Sequence, residues 1–86
     1  MEEGTILVVD DDFTPRRALR VTLSGMGFTV VEAARGEEAL SLVRMSWFDA
    51  VLLDVDMPGM GGMETCRRIR NAIPRLPILM LTVLDG

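Results

Sequence analysis

Short continuous apolar runs alternate along this chain with stretches whose apolar residues recur at three- and four-residue spacing. That alternation is the signature of a parallel sheet with helices on both faces. Thr5 to Val9 (Thr-Ile-Leu-Val-Val) is a β-branched run of the kind buried on both sides, and Asp10-Asp11-Asp12 ends it. Thr14-Pro15 offers an N-cap and first helical position. Ala18, Leu19, Thr22, Leu23 and Met26 follow at helical spacing until Gly25 and Gly27 stop the helix. Phe28 to Ala33 reads as a second strand. Gly36-Glu37-Glu38 opens a second helix with carboxylates where the helix dipole favours them, and Ala39, Leu40 and Val43 form its apolar stripe. Ala50 to Leu53 is a third strand closed by Asp54. After the turn-rich Pro58–Gly62 segment, Met63, Cys66, Ile69, Arg70 and Ile73 trace a third helix ended by Pro74. Pro77 to Leu81 is a fourth strand, with Thr82 at its carboxyl end. The predicted fold is an α/β doubly wound parallel sheet, β1-α1-β2-α2-β3-α3-β4, occupying residues 1–86 as one domain.

Composition narrows what such a fold can do. At 86 residues, 49% hydrophobic and 26% charged, the chain has the make-up of a packed core and not of a disordered segment. Its net charge of −4 leaves no basic face for direct binding of nucleic acid. There is no His, which excludes imidazole bases, phosphohistidine and His metal ligands within these residues, and all 9 basic residues are Arg. The lone Cys66 excludes an internal disulfide and reads as an inert core thiol. The first residues are acidic where a signal peptide is basic, and no apolar run approaches a membrane span, so the expected compartment is the cytoplasm, with no membrane partner.

Ligands of doubly wound sheets collect outside the carboxyl ends of the strands. On that edge fall Asp10, Asp11 and Asp12 after β1, Asp54 and Asp56 after β3, and Thr82 after β4. Any one of these carboxylates is explained by loop and cap chemistry. Two acidic groups after buried strands, with a hydroxyl after a third, ask for more. Crowded carboxylates repel unless some take up protons or a cation sits among them. Without His or a second Cys, a hard, oxygen-preferring ion fits, and a few carboxylates with a backbone carbonyl and waters describe Mg²⁺. Met57, Met60 and Met63 read as packing or loop residues, the arginines at 16, 17, 20, 67, 68 and 70 as solvated helix faces, and Trp47-Phe48 as a core plug.

Ile6-Leu7-Val8-Val9-Asp10-Asp11-Asp12, Leu52-Leu53-Asp54-Val55-Asp56-Met57-Pro58-Gly59-Met60 and the Leu81-Thr82 end of a Pro-led strand together resemble the receiver domain of two-component response regulators, a flavodoxin-like fold. The resemblance runs in order over the whole chain. It implies that Asp54 is the phosphoacceptor, taking a phosphoryl group from a histidine on a partner sensor histidine kinase. It implies further that Asp10, Asp11, Asp54 and the backbone carbonyl of Asp56 hold Mg²⁺, Asp10 through water, and that Thr82 is the switch hydroxyl closing on the phosphoryl oxygens. Such a domain is a signalling module and not an enzyme with turnover.

The same resemblance implies a further helix, a fifth strand bearing a Lys and a fifth helix, so the chain reads as a receiver cut after its fourth strand. β4 would then be an open apolar edge, and self-association through Ile78–Leu81 is expected. Two other readings stand beside this one. Leu52-Leu53-Asp54-Val55-Asp56 also resembles the Asp-x-Asp motif of haloacid-dehalogenase-like phosphatases, although that family has no use for Asp10 and Asp11 upstream. A non-phosphorylated dimerisation module of receiver fold is the other.

Overall fold

The computed structural model describes residues 3–81. Four strands and three helices alternate as β1 (Thr5–Val9), α1 (Phe13–Gly25), β2 (Thr29–Ala33), α2 (Gly36–Met45), β3 (Ala50–Asp54), α3 (Gly62–Ala72) and β4 (Ile78–Leu81). All strand pairs are parallel and the sheet order is β2-β1-β3-β4, the doubly wound arrangement expected from the alternating pattern. The expected Thr82 position lies outside the described residues.

Register sorts the strand residues onto two faces. Leu7, Val9, Ala33, Val51 and Leu53 point into one core with Ala39, Leu40 and Val43 of α2 and Ile69 of α3, while Ile78 and Met80 pack at its margin. Val8, Leu52 and Leu79 stand in one row across β1, β3 and β4 and face the other way. That second face is covered by α1, which packs on β1 and β2. Phe48 and Met57 plug the ends of the first core.

Several local expectations change in the structure. The first helix is capped by Asp12, whose carboxylate accepts the Thr14 N–H at 3.3 Å, and not by Thr14. Pro15 therefore sits inside the first turn, where its missing N–H has no helical partner to lose. Ala18, Thr22 and Met26 of the expected α1 stripe are exposed, and α1 has no fully buried residue. Of the Trp47-Phe48 pair, Phe48 is buried but Trp47 is 83% exposed. Cys66 is half-buried against the core, and Met63 is exposed while Met57 is core.

Candidate functional site

The acidic site is a product of strand register. Val9 pairs with Leu53, so the next residues, Asp10 and Asp54, stand side by side at the carboxyl ends of neighbouring strands about 4.8 Å apart. Asp11 follows directly. Oxygens of Asp10, Asp11 and Asp54 lie within 4.8 Å of one another, a spacing that one small cation can span. These residues, with Asp12, Pro15, Val55 and Asp56, line a cleft of about 560 Å³. The structure thus brings together every described carboxylate singled out on this edge, but in different roles. Asp12 is the helix cap, and Asp56 is exposed, its N–H donating to Asp54 Oδ1 at 3.2 Å.

Asp10 is the buried member of the group, 8% exposed. Burial pushes its carboxyl above the ordinary range; the Asp12 N–H, donating to Asp10 Oδ1 at 2.9 Å, pulls the other way, and the charges of Asp54 and Asp11 push it up again. No guanidinium among the described residues bonds these three carboxylates. Such a set is oxygen-only and crowded, and that donor chemistry fits a hard divalent cation such as Mg²⁺.

Two supports of the site escape a reading of the sequence. At Gly62, which opens α3, an added Cβ would lie 2.2 Å from the Asp54 carbonyl oxygen and 2.6 Å from Val55 Cα, so only glycine lets α3 begin against the backbone of the phosphoacceptor candidate. The Gly62 N–H donates to the Val55 carbonyl at 3.1 Å. The preceding Gly61 caps α3 at φ 77°, in the left-handed region that favours glycine. The second support is a charge cluster. Arg16, Arg17 and Arg20, expected as solvated decoration, all bond Glu32 of β2, at 2.9, 3.2 and 3.0 Å. The lone charged residue in the Thr-Val-Val-Glu-Ala strand is the available signal.

A smaller cavity of about 200 Å³ lies at the opposite, amino edge of the sheet, among Val43, Trp47, Phe48, Ile73, Leu76 and Pro77. Asp49 also lines it, but its Oδ2 already accepts the Thr5 N–H at 2.7 Å. Ser46 and Arg75 are its other polar lining residues, whereas the cluster of three carboxylates lies at the acidic edge.

The family model described as the response regulator receiver domain matches residues 6–86. The response regulator MprA of Mycolicibacterium vanbaalenii is 50% identical over 81 residues, covering 94% of this chain and 35% of that protein. MprA of Mycobacterium ulcerans is 49% identical over the same share of this chain. The chain thus spans about a third of the length of these curated relatives. Among solved structures, the chemotaxis protein CheY4 of Vibrio cholerae superposes with a TM-score of 0.91 at 36% identity, over 96% of this chain and 71% of that one. The response regulator TrrA of Thermotoga maritima, solved in complex with Mg²⁺-BeF, gives 0.90 at 36% identity over 99% of this chain and 72% of its own.

Proposed function

Because this chain belongs to the response regulator receiver domain family, a signalling component of two-component systems, we propose that Asp54 is its phosphoacceptor and that a sensor histidine kinase is the donor. The observation that supports this most directly is the placement of Asp54 beside Asp10 and Asp11, all three reachable by one cation. In the transfer, an Asp54 carboxylate oxygen attacks phosphorus, the bond from phosphorus to the donor imidazole nitrogen breaks, and its electron pair leaves with the imidazole. Asp10, Asp11, Asp54 and the Asp56 carbonyl are the residues that would hold Mg²⁺. When bound, Mg²⁺ neutralises the charge of the carboxylate and of the incoming phosphoryl oxygens.

This chain's own residues do the positioning. β1 and β3 deliver Asp10 and Asp54 in register, the Asp56 N–H orients Asp54 through Oδ1, and the Asp12 N–H orients Asp10. Thr82, which follows β4, is proposed as the hydroxyl that donates to the phosphoryl group once it is on Asp54. The TrrA structure holds Mg²⁺-BeF, which supports the same occupancy here by analogy within the family. Incubation with acetyl phosphate and Mg²⁺ should add one phosphoryl group by mass, and Asp54→Asn should abolish the addition. Fast repeated hydrolysis of phosphate esters would point instead to phosphatase chemistry, and no labelling at all to a non-phosphorylated interaction module.

We also propose that the 86-residue chain self-associates through β4. Among the described residues β4 pairs only with β3, and Leu79 is 54% exposed. A concentration-independent monomer mass in sedimentation equilibrium would refute this.

A further inference from the structure

The Asp10–Asp11 peptide is the hinge of the acidic site, because its plane sets how the two carboxylates stand relative to each other. Its surroundings are unusual for the end of a strand. The Asp10 N–H donates to the Ala33 carbonyl of β2 at 3.1 Å, a last ladder bond. The Asp10 carbonyl has passed beyond the sheet pairing. It is taken up by Arg16, whose Nη1 donates to it at 2.9 Å, while Nε of the same guanidinium donates to Glu32 Oε1 at 2.9 Å. Arg16 is the screened arginine of the cluster, with a side chain 14% exposed, against 45% for Arg17 and 49% for Arg20.

Glu32 in turn is held in place. Burial alone would raise its carboxyl, but the hydrogen bonds from Arg20 and Arg16 and the charge of Arg17 outweigh that and hold it below the usual carboxylate range. A planar guanidinium fixed at Nε by an anchored anion has its Nη1 direction fixed as well. The fork therefore transmits the position of β2 to the peptide between the two acidic residues. It does so through the peptide carbonyl and not through their carboxylates.

We propose that Arg16, anchored by Glu32, is a positioning residue for Mg²⁺ binding: it locks the Asp10–Asp11 peptide so that the carboxylates are presented together. This rests on the reading of Asp10, Asp11 and Asp54 as the Mg²⁺ site. Outer partners of this kind typically carry about 10- to 100-fold in metal affinity, and the lower end is expected here because the anchor acts on a peptide and not on a ligand atom.

The sign of the effect separates positioning from simple electrostatics. Deleting a cation near an acidic site should tighten Mg²⁺ binding by lowering repulsion, whereas losing the lock should weaken it. Calorimetric titration of the 86-residue chain with MgCl₂ alone, with circular dichroism to verify folding, reads this directly. Arg16→Met should weaken Mg²⁺ by about 10-fold. Arg16→Lys, which keeps the charge but cannot bond carbonyl and Glu32 from two fixed nitrogens, should also weaken it. Glu32→Gln should give a smaller loss. Arg17→Met, with the same change of charge and a lost Glu32 bond but no contact to Asp10, should leave affinity unchanged or slightly higher.

Wild-type affinity in both Arg16→Lys and Glu32→Gln would overturn the inference, as would tighter binding in a folded Arg16→Met. If Arg16→Met does not fold, weakened binding in Arg16→Lys and Glu32→Gln supports the lock and unchanged binding in both refutes it. Failure of the wild-type chain to bind Mg²⁺ at all would instead overturn the site reading on which the inference rests.

Discussion

The two faces of the sheet are made of similar residues and end in different states. Leu52 and Leu53 are neighbours in β3. Leu53 is fully buried beneath α2 and α3, while Leu52 is half-buried on the side of α1. Along the row Val8, Leu52, Leu79 burial falls steadily, from complete at Val8 to 54% exposure at Leu79. The reason is coverage. α2 and α3 pack against each other and together roof one face, whereas α1 lies over β1 and β2 alone. Asp10 and Asp54 lie two residues beyond Val8 and Leu52, on the same face, so the site opens on the thinly covered side. Its cleft continues into a groove of about 340 Å³ between Asp10, Asp54, Leu81 and Pro15, Ala18, Leu19 and Thr22 of α1.

The most severe test of that contrast is Leu53→Ala, which should cost about 2–5 kcal/mol in urea unfolding because it leaves a cavity in the roofed core. A loss below about 1 kcal/mol there would mean that the two faces are equally soft. A smaller effect of opposite sign is expected at the site. Because burial and the charges of Asp54 and Asp11 raise the Asp10 carboxyl, its contribution to stability is fully present below its unfolded value and lost as pH rises through the higher folded one. Without Mg²⁺, Asp10→Asn should therefore raise the thermal midpoint at neutral pH. Its advantage over wild type should shrink as pH falls through the folded value. Added MgCl₂ should stabilise the wild type and do less for the variant. The smallest change is expected for Leu79→Ala, within about 0.5 kcal/mol for an exposed position. A concentration-dependent loss at Leu79 would show that this face is covered by a second copy in solution, and the contrast would then hold only for the monomer.

Charge shows the same dependence on location. Glu64 accepts from Arg67 and, at 2.8 Å, from Arg68. All three side chains belong to one exposed turn of α3, where such pairs contribute little. Glu32 also collects arginines, but its partners come from another element and its carboxyl is screened, so the cluster ties α1 to β2 and reaches the acidic edge through Arg16. The Arg partners of Glu64 are three and four residues away in the sequence, whereas those of Glu32 are 12 to 16 away. Only tertiary contact makes one of them part of a site.

The sequence by itself determined the order of elements, the parallel sheet and the acidic carboxyl edge. Apolar periodicity and turn chemistry are local, and strand ends of a doubly wound sheet converge whatever the details of packing. It also determined the oxygen-only character of the donor set, since no His is present to join it. The tertiary structure alone decided which of two adjacent leucines is core, that Asp10 is buried while Asp12 caps a helix, that Gly62 admits the Asp54 backbone, and that Arg16 grips the Asp10 carbonyl. Each of these depends on which element comes to lie above a residue and at what distance, and that is set by packing between segments far apart in the chain, on which local pattern carries no information.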